Sequence, residues 1–311
     1  MASNKVIVFG PTGHVGSAAA LAAQEQGAKV YLAMRDSQKA IRNLTPAQEQ
    51  AGGFERVQAD LSNPDSIRTA VTQTGAKRAF IYIAFGTPDN MRSTIQALKS
   101  AGIEFLVFLS SFGVDGDLRS IQPTDLSAFV HGQVEINLDE VYGPEGYVAI
   151  RPGYFATNLL LYKKPIAAGG VVRMPYPQVR FDCIAPEDIG RVSGVVLAKA
   201  QSSGPIFLAG PQLVAQEDAI KLVAKALGKD VQVEGFATEQ DAAKFLAEAY
   251  GVPEALGAGL ARTYRAMAEG EERFPQSKYQ EAVANVKKYG LKEPTSLDQW
   301  VEAHRAEFLT E

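Results

Sequence analysis

With only one cysteine, Cys183, among its 311 residues, the chain has no intrachain disulfide framework, and a cysteine-based zinc cluster is implausible. So little cysteine fits a reducing compartment. An excess of one charge is also missing. The formal net charge is −4, from 31 basic and 35 acidic residues, so no basic footprint for nucleic acid is expected. No apolar run approaches the roughly 20 residues that would cross a membrane. Residues 1–4 lead straight into a strand pattern without a charged and apolar leader, so a cytoplasmic, membrane-free location is expected. Internal repeats and low-complexity tracts are absent. So is the Gly-x-Ser-x-Gly nucleophile elbow, which argues against a hydrolase. What remains is ordinary globular material: 46% hydrophobic and 21% charged residues, enough to build a core without staples. The length suits a large α/β domain with a smaller one appended.

The first half alternates apolar runs with helical stretches. Lys5–Phe9, Val30–Met34, Arg56–Ala59, Ala79–Phe85, Phe105–Ser110 and Tyr147–Ile150 read as buried strands. Helices are expected over Val15–Gln26 and near 64–73, 88–101 and 124–142, with Asn63-Pro64 as a start signal. This rhythm predicts a Rossmann-type, doubly wound parallel sheet, with the ligand crevice outside the carboxyl ends of its strands. After Arg151 the rhythm changes. Helices are expected at Pro186–Ala200, Gln216–Leu227, Glu239–Tyr250 and Ser296–Phe308, with short strands at Ile206–Ala209 and Val231–Glu234. The expected division is a nucleotide-binding domain over 1–152 and a smaller α+β substrate lobe over 153–311, some of whose elements return to the large sheet.

Gly10, Gly13 and Gly16 fall between the first strand and the first helix. Gly10 permits the tight turn, Gly13 lets a pyrophosphate approach the backbone, and Gly16 allows close helix–strand packing. The helix N-terminus adds unpaired N–H groups and a positive dipole end. Thr12, His14 and Val15 share this turn, so a dinucleotide site is expected here. The second strand ends Met34-Arg35-Asp36. Arg35 suits the 2′-phosphate of NADP(H), whereas Asp36 is the competing acid that would select NAD. The Arg35 reading is preferred, with NADP(H) as cofactor. Asp60 and Leu61, after the third strand, are candidates to flank adenine; Asp60 is equally suited to capping the next helix.

Together, Gly10-Pro-Thr-Gly-His-Val-Gly16, Ala33-Met-Arg-Asp36, Gln58-Ala-Asp-Leu61, Ser110-Ser-Phe-Gly113, His131-Gly-Gln-Val-Glu135, Arg151-Pro-Gly-Tyr-Phe-Ala-Thr-Asn158 and Pro186-Glu-Asp-Ile-Gly190 resemble the atypical short-chain dehydrogenases of the NmrA-like family. The resemblance covers roughly residues 5–200. It implies an NADP(H)-binding Rossmann domain with a small substrate lobe. It also implies that Ala84, Phe85 and Gly86 line the cofactor and that Pro152, Gly153, Tyr154 and Phe155 lie beside the nicotinamide. It leaves activity open, because such proteins include both NADPH-dependent reductases of small molecules and redox-sensing regulators of partner proteins.

Typical members of that superfamily carry Tyr-x-x-x-Lys on one helix face. Here the 124–142 segment contains no lysine and only Tyr142. The remaining candidates are His131 as a proton donor oriented by Glu135 or by a backbone carbonyl, or as a ribose ligand. Ser110 and Ser111 are candidates at the end of the fifth strand, and Tyr154 is an alternative proton donor. No metal is expected. Hydride transfer needs only a correctly placed cofactor, so an oxidoreductase acting on a small, fairly apolar molecule is the first expectation. A non-catalytic NADP(H) sensor with a protein partner is the alternative.

Overall fold

The computed structural model describes residues 4–200, 204–273 and 275–310. In chain order the elements are β1 (Lys5–Phe9), α1 (His14–Glu25), β2 (Lys29–Met34), α2 (Pro46–Ala51), β3 (Glu55–Gln58), α3 (Pro64–Thr74), β4 (Arg78–Tyr82), α4 (Arg92–Ser100), β5 (Phe105–Leu109), α5 (Leu126–Tyr142) and β6 (Tyr147–Pro152). There follow α6 (Lys163–Ala168), β7 (Val171–Met174), β8 (Arg180–Phe181), α7 (Pro186–Lys199), β9 (Ile206–Leu208), β10 (Val214–Ala215), α8 (Gln216–Ala226), β11 (Gln232–Gly235), α9 (Glu239–Tyr250), α10 (Glu254–Ala268), α11 (Gln276–Gly290) and α12 (Leu297–Ala303).

Seven strands form one parallel sheet in the order β3-β2-β1-β4-β5-β6-β9. The order reverses between β1 and β4, and in an open sheet the crevice forms at that switch point. Apolar side chains cover both faces. Val6, Val8, Leu32 and Phe80 pack under α1 and α7, while Ile7, Phe9, Ile81 and Phe108 pack under α3, α4 and α5. Although β9 and α7 follow residue 152, they complete this sheet and its helical layer. Most of the remaining C-terminal elements build a second core around Tyr162, Met174, Ile220, Leu246, Tyr264 and Trp300, while Val286 of α11 joins the core under α1 and α7. Two further two-stranded sheets, β8–β10 and β7–β11, belong to this part.

The Asn63 side chain caps α3 through the Asp65 and Ser66 amides, and Ser296 with Gln299 forms a capping box on α12. Several expected boundaries move, among them the start of α4, at Arg92 and not 88, and the two that follow. β4 ends at Tyr82, not Phe85, so Ala84, Phe85 and Gly86 stand in the loop beyond it. The expected Ser296–Phe308 helix ends at Ala303 and resumes as a 3₁₀ turn over Arg305–Phe308. At the break, His304 Nε2 lies 3.2 Å from Glu187 Oε1 on α7. The backbone there takes φ −112° and ψ 13°, outside the helical range.

The layer beside the crevice is held by glycine contacts. A methyl group on Gly190 would lie 2.4 Å from the Val15 carbonyl oxygen, and one on Gly194 would lie 2.3 Å from that of Ala19. The Ala-rich face of α1 and these glycines therefore let two helix backbones touch. Gly194→Ala is expected to cost about 1–3 kcal/mol by overpacking, read as a lower denaturation midpoint. An unchanged midpoint would show that the helices can separate without cost.

Candidate functional site

The glycine turn opens the crevice. Gly10 has φ +69°, which only glycine adopts freely, and its carbonyl accepts the Gly13 amide at 3.1 Å. A methyl on Gly16 would lie 2.2 Å from the Gly10 carbonyl oxygen, so Gly16 is required by packing. Gly13 differs. It is exposed, at φ −87°, and a methyl there would meet nothing in the protein closer than 3.6 Å. The fold does not need glycine at 13, whereas a phosphate lying on the backbone would. The α1 N-terminus also has no side-chain cap and no acid in its first turn, so its amides face the crevice without an internal partner. Thr12 is half-buried at the same turn, and Val15 is buried beneath it.

His14 turns away from that amide cluster toward two carboxylates. Its ring nitrogens lie 3.9 Å from Glu187 and 3.8 Å from Glu307, beyond hydrogen-bond range. Glu307 also meets Arg42 at 2.8 Å. Burial opposes ionisation of Glu187, but contacts from His14 and His304 outweigh it and hold the carboxyl well below its usual range. The hydrogen bond to Glu187 in turn raises the His304 imidazole above its ordinary value. Thus the C-terminal segment is pinned beside the glycine turn. Asp188, fully buried, adds bonds to the Thr295 amide (2.6 Å) and hydroxyl (3.0 Å).

At the end of β2, Arg35 is exposed. The Asp36 carboxylate folds back to accept the Gln38 amide at 2.9 Å, a local turn that occupies the competing acid. Asp60 accepts the amide and hydroxyl of Ser62, at 2.9 and 2.7 Å, and these bonds lower its pKa. Leu61 is buried, and its carbonyl accepts the Thr94 hydroxyl. Beyond β4, the Ala84 amide donates to the Met91 sulfur at 3.2 Å, Phe85 is 73% exposed, and Gly86 takes φ +83°.

The three candidate catalytic groups stand in different circumstances. Ser110 Oγ donates to Glu135 Oε1 at 2.5 Å, and Arg151 closes a bidentate pair on the same carboxylate. Glu135 and Arg151 are buried, at 1% and 6% exposure. Glu135 therefore does not orient His131. The Ser127 carbonyl does so, accepting from Nδ1 at 2.7 Å. A carbonyl can only accept, so the neutral ring carries its proton on Nδ1 and presents Nε2 as an acceptor. Burial, against Phe108 among others, lowers the His131 pKa and keeps the ring neutral. Ser111 pairs with the Ser127 hydroxyl at 3.2 Å.

Tyr154, at the exit of β6, stacks on Phe181 at 4.2 Å and lies in electrostatic reach of the Tyr250 and Tyr264 phenols. Burial raises its pKa well above the ordinary phenol value. The Tyr154 amide donates to Asp182, which also accepts the Gly210 amide. A methyl on Gly153 would fall 2.4 Å from that carboxylate. Pro152 is buried in β6, with its carbonyl taking the Phe112 amide, and Phe155 bridges to Ile184. Sequence reasoning missed Asp182, Tyr250 and Tyr264, because only the folded lobe brings them to β6. Cys183 is buried, and burial pushes its thiol up, away from thiolate chemistry. A separate pocket of about 480 Å³, lined by Arg180, Leu213, Asp218 and Tyr279, shares no residue with this crevice. Among the described residues, no group of three or more His, Cys, Asp or Glu could hold a metal ion.

A reversing parallel sheet, a glycine turn at its switch point and an uncapped helix behind it define a Rossmann-type α/β protein. The chain belongs to the NmrA-like family, whose model matches residues 2–301. It is 37% identical over 319 residues to the nitrogen metabolite regulation-like protein bik4 of Gibberella fujikuroi, covering 96% of this chain and 95% of that one. It is 26% identical to the NAD(P)H azoreductase of Xenophilus azovorans, covering 83% and 86%. Among solved structures it is similar to the NADPH-dependent quinone oxidoreductase QOR2 of Escherichia coli complexed with NADPH. There the TM-score is 0.71 at 21% identity, covering 96% of this chain and 99% of that one.

Burial raises the Asp182 pKa to about 6, partly offset by the two amide bonds. Its unfolded value is about 4, so the folded state binds the proton first. Its contribution to stability therefore falls as pH rises from about 4 to 6. The stability of the wild type minus that of Asp182→Asn is expected to drop by about 2–3 kcal/mol between pH 4 and 7. A difference that stays flat over this range would contradict the assignment.

Proposed function

We propose that this protein binds NADP(H) on the Gly10–Gly16 turn and acts as an NADPH-dependent reductase of a small, fairly apolar, conjugated acceptor. The observation that carries the reading is Gly13, a glycine whose missing side chain leaves room only for something outside the protein, in front of an uncapped helix end. The preference for the 2′-phosphate rests on Arg35, exposed at the end of β2, beside an Asp36 already bonded to Gln38. When bound, a nicotinamide dinucleotide supplies a hydride. The chain's own residues would hold it: turn amides on the pyrophosphate, Arg35 on the 2′-phosphate, and Pro152–Phe155 beside the nicotinamide ring.

The substrate class follows from the acid–base groups. Ser110 is bonded to Glu135, neutral His131 offers an acceptor, and Tyr154 is a weakened acid. None is a strong proton donor at neutral pH. Acceptors that stabilise the added electron pair themselves, such as quinones, azo compounds or iminium ions, need little such help. The azoreductase and quinone oxidoreductase among its relatives are in keeping with this choice. The Ser110–Glu135 bond also favours a second reading, a non-catalytic NADP(H) sensor acting on a partner protein, as the name of the regulation-like relative suggests.

Two measurements test this: the first checks the cofactor preference that both readings share, and the second separates them. Arg35→Ala is expected to weaken NADPH about tenfold or more, the loss of a charge-assisted contact, while leaving NADH within about twofold. Equal loss of both would refute the 2′-phosphate role. NADPH oxidation followed at 340 nm with menadione, an azo dye and a cyclic imine is expected to turn over with at least one of them. Binding without oxidation of any would transfer the case to the sensor.

A further inference from the structure

The crevice contains one large side chain that neither the glycine turn nor the resemblance assigns. Val8 of β1 pairs with Phe80 of β4. Carrying that parallel register two residues onward sets Tyr82 opposite Gly10, at the point where the strand order reverses. Strand alternation puts Tyr82 on the same face as Phe80. Phe80 is buried under α1 and α7 at 1% exposure, whereas Tyr82 is 38% exposed because β1 has already turned away. The ring lies directly on the turn: a methyl group on Gly10 would come within 2.5 Å of Tyr82 Cε1 and 3.2 Å of Cζ. Its phenol is in electrostatic reach of both Arg35 and Asp60. Tyr82 thus touches the end of β1 and lies in electrostatic reach of residues at the ends of β2 and β3, the side of the crevice where the adenosine half would lie.

We infer that Tyr82 is a specificity-determining residue of the adenosine half-site, its ring walling the ribose and its hydroxyl donating to the 2′-phosphate beside Arg35. This rests on the dinucleotide reading above. The chemistry matches the surroundings. A neutral phenol adds a donor for a phosphate without adding charge, in electrostatic reach of both the Arg35 cation and the Asp60 carboxylate. Burial, with Asp60 adding to it, raises the Tyr82 pKa against the opposing pull of Arg35, so the hydroxyl stays protonated and able to donate at neutral pH. The expected fingerprint is a residue that discriminates between adenosine ligands with and without a 2′-phosphate and is indifferent to the nicotinamide half.

Calorimetric titration of the full chain with 2′,5′-ADP, 5′-AMP and nicotinamide mononucleotide tests this. Tyr82→Phe removes only the hydroxyl. It is expected to weaken 2′,5′-ADP about five- to tenfold, the loss of one hydrogen bond to a charged group, and to leave 5′-AMP within about twofold. Tyr82→Ala is expected to weaken both adenosine ligands and to leave nicotinamide mononucleotide unchanged. An unchanged melting temperature for Tyr82→Phe separates binding from folding. If the wild type binds 2′,5′-ADP and both variants bind it equally well, the inference fails while the dinucleotide reading stands. Tighter binding by Tyr82→Ala would overturn it too, making the ring a barrier instead of a wall. If the wild type binds neither 2′,5′-ADP nor NADPH, both the inference and the dinucleotide reading fall.

Discussion

The structure depends on the contact between the backbone of Gly16 and the carbonyl of Gly10. A methyl group at Gly16 would sit 2.2 Å from that oxygen, so α1 can begin directly behind β1 only without one. That closeness aims the first amides of α1 across the carboxyl end of the sheet. It also sets α1 at the distance where Gly190 and Gly194 of α7 can touch it, and α7 in turn carries Glu187 and Asp188 to the C-terminal segment. A chain of contacts, through backbone as far as α7 and through side chains beyond it, thus runs from the glycine turn to the segment around α12. Any side chain inserted along it would push the helix off the sheet and take the amide cluster out of position.

The glycine-turn crevice and the candidate acid–base groups are built differently. The crevice is built from backbone and from side chains at the strand ends, with Asp36 accepting the Gln38 amide and Asp60 accepting from Ser62. The acid–base side is different. A buried Glu135 is neutralised by Arg151 and takes the Ser110 hydroxyl, so three polar groups that could act on a substrate spend their hydrogen bonds on one another. Breaking such a buried pair from one side is costly, which argues that its role is to fix the end of β5 against β6. Reduction without a strong enzymic acid, or no reduction at all, are the two outcomes compatible with that arrangement.

Much of the sheet and the whole glycine turn could be read from sequence, because buried parallel strands are continuous apolar runs and Gly10, Gly13 and Gly16 fall between one of them and a helix. Where the reading failed, a tertiary contact decided. β4 overshot because Ile83-Ala84-Phe85 is as apolar as the strand before it, although Phe85 faces solvent. The helix α10 was not anticipated, and it carries Gly257 and Gly259 in its interior. Gly257 is in fact a packing contact, since a methyl there would lie 2.2 Å from the Ala243 carbonyl oxygen of α9. His131 and Glu135, four apart on one helix, suggested a pair; the pairing of Glu135 with Arg151 lies on another element and leaves no local signal. Tyr82 was equally silent, since an aromatic residue inside the expected strand Ala79–Phe85 reads as core until the neighbouring strand is seen to stop first.

A co-crystal structure with NADP⁺ tests the central claim most directly. The account predicts the pyrophosphate on the amides of the Gly10–Gly16 turn, with a phosphate oxygen against Gly13, and the 2′-phosphate within hydrogen-bond reach of Arg35. A dinucleotide bound elsewhere, or one in this crevice with its 2′-phosphate turned away from Arg35 into solvent, would contradict it.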